Sequence, residues 1–203
     1  MDDNVIRAKI DSFINGFLEY SIDRLTAITR YNIIKFIKPQ TVMQHLGSTT
    51  LIAMLLSDYL NEIGITNDPE KVLRMAIIHD VEEVVSGDLP HDLKYDMRYS
   101  TELRGILNKL TNYTLNTTLN MIGDAHLKSK YKKLFDEEKS KKTIEAKIVK
   151  AADDIDVVIY TRQENKLGNK TMIKQENTAM KLYKKMLADI LTTHDKKSRR
   201  SKK

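Results

Sequence analysis

The sequence predicts an all-α fold, and three observations carry that expectation. Only seven glycines and three prolines occur in 203 residues, too few to turn a chain of many short strands. Apolar residues recur at helical spacing along nearly the whole length. Helix start and stop signals punctuate the periodic runs. With no repeat and no second composition regime before the C-terminus, one helical bundle is expected over residues 1–193, followed by a basic, disordered tail at 194–203.

Ile6, Ile10, Phe13, Ile14, Phe17 and Leu18 follow an i, i+4, i+7, i+8 pattern and predict an amphipathic first helix. Residues 24–40 are less regular and end near Pro39, which reads as a loop or short helix. A long helix is expected from about Thr41 to Ile63, with Leu51, Ile52, Leu55, Leu56, Tyr59 and Leu60 as its buried stripe and Gly64 as its stop. Asn67, Asp68, Pro69 and Glu70 form a start signal, a capping residue followed by proline in the first turn. That helix runs through Val72, Leu73, Met75, Ala76, Ile77 and Ile78, apolar nearly all round at its end, to His79 and Asp80. The segment from Ser86 to Pro90 is a turn, and further helices fit about 100–122, 126–140, 142–164 and 171–193.

Apolar residues make up 41% and charged residues 31%, a balance that suits a soluble globular chain. No apolar run is long enough to span a bilayer, so no membrane association is expected. The acidic opening, MDDNVIRAKID, lacks the basic start and apolar core of a signal peptide. The absence of cysteine excludes disulfides, thiolate metal sites and a cysteine nucleophile, and fits a cytoplasmic location. The net charge of +6 is concentrated in the tail HDKKSRRSKK, where six Lys/Arg and one Asp give +5 and leave about +1 for the other residues. A near-neutral body argues against a nucleic-acid face and leaves at most a weak contact by the tail.

The chemistry concentrates in AIIHDVEEVVSGDLP, residues 76–90. His79 and Asp80 close an apolar run, and Glu82, Glu83 and Asp88 follow at once. Burying a histidine and a carboxylate without a partner is costly, and a divalent cation bound by both removes that cost. The alternative is an Asp80 that caps its helix or pairs with a nearby cation. Neighbouring helical residues point about 100° apart, so a shared ion requires a distorted helix end or an ion at the terminus. His45, near the start of the long helix, lies among small residues. Taken alone it reads as a core histidine. His194 sits in the tail and His126 at a predicted helix start, and neither reads as a ligand. Downstream, KIVKAADDIDVVIY embeds Asp153 beside Ala152 in an apolar helical pattern, whereas solvated positions suffice for Asp154 and Asp156. His45, His79, Asp80 and Asp153 form a mixed nitrogen and oxygen set suited to Mn²⁺, Co²⁺, Fe²⁺ or Zn²⁺ rather than Ca²⁺. Four protein ligands leave room for water and a substrate oxygen, an arrangement for Lewis-acid hydrolysis.

This pattern resembles the HD-domain metal-dependent phosphohydrolases. HDVEEVVSGDLPHDLKY, residues 79–95, is similar to the signature of their 5'-deoxynucleotidase branch, HD-x-x-E-x-x-x-GD-x-P followed by a lysine. TRYNIIKFIKPQTVMQHLGST, residues 29–49, resembles the segment in which an Arg and an aromatic precede the first metal histidine. VKAAD, residues 149–153, resembles the segment carrying the last metal aspartate. The resemblance implies that His45, His79, Asp80 and Asp153 hold the metal. It further implies that Glu83 orients or deprotonates the attacking water and that Asp88, a candidate catalytic proton donor, contacts the leaving 5' oxygen or the sugar. Arg30 is expected to hold the phosphate, Tyr31 to pack on the deoxyribose, and Lys94 to add a phosphate contact. The implied substrate is a deoxyribonucleoside 5'-monophosphate and the implied assembly a homodimer or higher homo-oligomer. Tyr31 replaces a Trp of the pattern and Gln44 replaces an acid, two departures that bear on substrate choice. A dNTP triphosphohydrolase with the same metal site is the alternative enzyme, and a non-catalytic nucleotide-binding protein is the alternative from another class.

Overall fold

The computed structural model describes residues 2–89 and 100–200. Among these residues the chain is helical without strands, and an isolated bridge between Thr29 and Thr41 is its one piece of extended pairing. The helices are α1 (Asp3–Phe13), α2 (Glu19–Ala27), α3 (Val42–Glu62), α4 (Pro69–Ile78), α5 (Glu83–Ser86), α6 (Ser100–Asn120), α7 (Ala125–Ser140), α8 (Ile144–Lys166) and α9 (Ile173–Arg200). A π turn over Ile14–Leu18 joins α1 to α2, at Asn15 and Gly16, two weak helix formers. Lys94 and His91 lie outside the described residues.

The local signals act as expected. The Asp68 side chain accepts the Lys71 N–H, and Pro69 opens α4. Gly64 follows α3 with φ 86°, a left-handed turn in which the Ile65 N–H reaches the Leu60 carbonyl. The irregular stretch expected at 24–40 begins after Ala27, where α2 stops. Two expectations shift. The short α5 was not foreseen, and α9 continues through Arg200, past residue 194 where the tail was expected to begin. No helix breaker separates Ile173 from Arg200, and Lys and Arg are good helix formers.

The buried face of α3 also differs from the expected stripe. Leu51, Leu55 and Tyr59 are exposed. The face that is buried runs through Val42, His45, Leu46, Thr49, Ala53, Ser57 and Leu60. It keeps helical periodicity but includes His45, Thr49 and Ser57, which a hydrophobicity pattern scores as outward. The first helix forms, yet none of Asp3–Phe13 is buried.

The described chain divides into two compact units, each with its own core. The first contains residues 1–35, 39–44 and 80–133. There α5 packs on α2 and α6, Val84 and Leu115 are fully buried, and Arg24 Nη1 donates to the Val84 carbonyl at 3.2 Å. The second contains residues 36–38, 45–79 and 134–203. Its core joins Ala53 and Leu60 of α3, Val72, Met75 and Ala76 of α4, Ile148, Val149 and Ala152 of α8, and Ile190 of α9. The alanines let these helices approach closely enough to bring their polar side chains together.

In this second unit, Glu164 of α8 is buried and accepts the Ile37 N–H at 2.9 Å, the Lys38 N–H at 2.7 Å and the Asn169 side-chain amide at 2.7 Å. Burial works to raise its carboxyl, but the Asn169 bond and the two backbone N–H groups outweigh it and hold the group below its ordinary range. A carboxylate lowered in the folded state contributes stability above its unfolded pKa and loses it as pH falls through the folded value. Glu164→Gln is expected to cost about 1–3 kcal/mol at neutral pH, because an amide cannot accept from all three donors. Urea denaturation at a series of pH values reads this, and the gap between variant and wild type is expected to close as the pH falls below about 4.

Candidate metal and substrate site

Four polar side chains from three helices meet inside the second unit. His45 lies one turn into α3, His79 is the residue that caps α4, and Asp153 and Asp156 lie one turn apart on α8. Both imidazoles are buried. The His79 Nδ1–H donates to the Ala76 carbonyl at 2.8 Å. That carbonyl belongs to the last turn of α4, where helical geometry leaves carbonyls without an N–H partner. A carbonyl can only accept, so His79 carries its proton on Nδ1 and turns the Nε2 lone pair outward from this contact.

His45 is held in the same sense. Its Nδ1 lies 2.6 Å from Asp156 Oδ2, so the ring donates from Nδ1 to the carboxylate. The two Nε2 atoms then face each other at 3.2 Å, and Asp153 Oδ1 lies 3.4 Å from His45 Nε2. One donor atom from each of His45, His79 and Asp153 falls within 4.8 Å of the others. Lone pairs and a carboxylate oxygen aimed at one point repel each other, and a divalent cation at that point turns the repulsion into three bonds. The donor set fits such an ion on geometry and on chemistry.

Lys150 adjoins this cluster. Its Nζ donates to Asp153 Oδ2 at 2.8 Å and to Asp154 Oδ1 at 2.7 Å. Burial works against its charge, but Asp153 and Asp154 outweigh it and hold the ammonium above its ordinary range. Burial likewise works to raise Asp153, yet the Lys150 ammonium beside it outweighs burial and holds its carboxyl well below the usual range. Burial dominates at Asp154 and pushes that carboxyl up to about 6. Asp154 and Asp156 are both buried, which corrects the expectation that solvated positions suffice for them. Asp156 is the buried partner of His45 that hydrophobic periodicity missed. The signal that finds it is helical spacing, since it follows Asp153 by three positions on the same helix.

The first unit brings another group together. Tyr31 has φ 52°, a left-handed conformation that is uncommon for a non-glycine residue. Its N–H donates to Asp88 Oδ2 at 2.6 Å, and the Asn32 amide donates to the Asp88 carbonyl at 3.2 Å. The Arg30 guanidinium sits over the Tyr31 ring at 5.2 Å and donates to Gln40 Oε1 at 3.3 Å. Arg30, Tyr31 and Asp88 are therefore organised as one turn-supported cluster, although 57 positions separate Tyr31 from Asp88. Glu83 is buried on α5, and its N–H donates to the Asp80 carbonyl at 3.0 Å. Asp80 is half-buried and follows His79 directly in the chain.

A family model for YfbR-like 5'-deoxynucleotidases matches residues 16–193. The chain belongs to that family. It is a hydrolase of the HD-domain fold. A 5'-deoxynucleotidase of Shewanella oneidensis is 29% identical over 165 residues, covering 81% of this chain and 80% of that protein. Among solved structures, a conserved hypothetical protein of Pyrococcus furiosus is 25% identical with a TM-score of 0.68, covering 89% of this chain and 98% of that one. An HD-domain phosphohydrolase of Listeria innocua shares the fold at 24% identity and a TM-score of 0.63, over 88% of this chain and 80% of that one. No helix among the described residues is long and apolar enough to cross a membrane.

If the convergent donors are a metal site, Asp153→Ala removes one ligand and leaves two imidazoles. Isothermal titration with Co²⁺ or Zn²⁺ is expected to show binding weakened at least about tenfold against wild type. The metal-free variant is expected to melt at a lower temperature, because Lys150 loses one of its two carboxylate partners.

Proposed function

We propose that this chain removes the 5'-phosphate from deoxyribonucleoside 5'-monophosphates with a divalent transition metal. The single observation that carries the reading is the convergence of His45 Nε2, His79 Nε2 and Asp153 within one family match that spans residues 16–193. His45, His79 and Asp153 would hold the metal, with Asp80 as a further ligand by its place beside His79 in the HD pair. A bound divalent ion polarises a phosphoryl oxygen and lowers the pKa of its water toward neutrality.

The remaining roles belong to the chain itself. Arg30 would hold the phosphate dianion with its forked guanidinium donors, and its contact with the Tyr31 ring restricts the directions it samples. Tyr31 would pack on the deoxyribose. Asp88 fixes the Tyr31 amide and so would position that turn as well as meet the leaving side of the substrate. Glu83, buried on α5 and three positions after Asp80 in the chain, would orient the attacking water and take its proton. Lys94, outside the described residues, would add a phosphate contact. The family name and the deoxynucleotidase of Shewanella oneidensis support a monophosphate substrate over a triphosphate. A cytoplasmic location and a homo-oligomeric state complete the proposal.

The test is product release from a panel of dNMPs, NMPs and dNTPs with Mn²⁺, Co²⁺, Zn²⁺ or EDTA, with His79→Ala beside the wild type. Inorganic phosphate released from dNMPs, lost in EDTA and in the variant, is the expected result. Tripolyphosphate from dNTPs would replace the monophosphate reading with the triphosphohydrolase. Turnover that persists in EDTA would remove the metal from the mechanism.

A further inference from the structure

We infer that Asp156 is the positioning residue for the His45 metal ligand, and that Ser48 holds Asp156 in that task. The inference rests on the proposed metal role of His45, His79 and Asp153. His45 is the more demanding of the two imidazoles to orient. His79 ends a helix, where a backbone carbonyl is available to take its Nδ1–H. His45 stands inside α3, where carbonyls are already engaged in the helix, so a side chain must supply the acceptor.

Asp156 supplies it. Its carboxylate is buried, Oδ2 lies 2.6 Å from His45 Nδ1, and Oδ1 accepts the Ser48 hydroxyl. Ser48 also reaches the His45 carbonyl at 3.1 Å, and the Thr49 hydroxyl lies 3.2 Å from His45 Nδ1. This set of contacts links the first turns of α3 to one turn of α8. It fixes the ring plane of His45, keeps the proton on Nδ1 and directs Nε2 at His79 and Asp153. Carboxylate–histidine–metal arrangements of this kind raise ligand basicity and hold ring orientation, and their loss weakens metal binding by about 10–100-fold. Among the described residues Asp156 is not part of the donor group formed by His45, His79 and Asp153.

The experiment is competition for Co²⁺ between the full-length metal-free protein and a chelator of known affinity, run on wild type, Asp156→Ala, Asp156→Asn and Ser48→Ala. Thermal melting of each metal-free protein and the visible Co²⁺ absorption bands accompany it. Asp156→Ala is expected to lose about 10–100-fold in affinity and to show altered bands, because the imidazole is free to turn. Asp156→Asn is expected to stay within about threefold of wild type, since the amide oxygen still accepts from Nδ1 while its NH₂ faces Ser48. Ser48→Ala is expected to fall between them and serves as the reading if Asp156→Ala does not fold. Equal affinity of a folded Asp156→Ala and wild type overturns the inference, as does an Asp156→Asn no better than Asp156→Ala. With Asp156→Ala unfolded, unchanged affinity in Ser48→Ala overturns it. A wild type that binds no Co²⁺ sinks the metal reading and this inference together, whereas tight wild-type binding with no effect at Asp156 sinks this one alone.

Discussion

Two imidazoles buried with their Nε2 atoms 3.2 Å apart set the constraint that the second unit is built around. Each ring is tethered at its other nitrogen, one by a carbonyl at the end of α4 and one by a carboxylate of α8. Neither tether can exchange roles with the ring it holds, because a carbonyl and an ionised carboxylate only accept. The lone pairs are consequently turned toward each other and toward Asp153. An apolar interior does not tolerate such an arrangement without compensation. The compensation is positive charge, supplied on one side by Lys150 and at the focus by the cation the donor set suits.

That arrangement imposes demands on packing. The three helices that bear the donors must keep register to within a fraction of a turn, and the core that enforces this lies directly among them. Ala53, Ala76 and Ala152 are fully buried in one core cluster shared by α3, α4 and α8, together with Met75, Ile148 and Ile190. Polar residues interleave with these apolar ones on the same faces, so the core and the site are one structure. In the first unit the corresponding demand falls on the backbone. A left-handed Tyr31 is unfavourable by itself, and the Asp88 carboxylate that accepts its N–H stabilises it.

The gap between pattern and structure is instructive at α3. Reading apolarity alone places Leu51, Leu55 and Tyr59 inward, because they repeat at helical spacing and are large. In the folded chain they are exposed, and the buried stripe passes through His45, Thr49 and Ser57. Hydrophobic periodicity locates a core face only where the core is apolar. Here the face is partly a polar site, so the apolar pattern catches Leu60, with Ile52 and Leu56 packed against the core, and misplaces Leu51, Leu55 and Tyr59. Asp156 was misjudged for the same reason: a carboxylate reads as solvated until its partner is known, and that partner lies 111 positions away.

By itself the sequence determined what depends on neighbours in the chain. It specified the helical class through periodicity and the scarcity of glycine and proline, the start of α4 through Asp68 and Pro69, and the end of α3 through Gly64. It also singled out His45, His79, Asp80 and Asp153 as candidate metal donors, and the fold gathers one donor atom from each of His45, His79 and Asp153 within 4.8 Å of the others. Tertiary structure alone decided which face of α3 is buried, which nitrogen of each histidine is turned to the donor cluster, and which partners each carboxylate meets. These are outcomes of contacts between residues distant in sequence, and their energies depend on burial and orientation that no local pattern encodes.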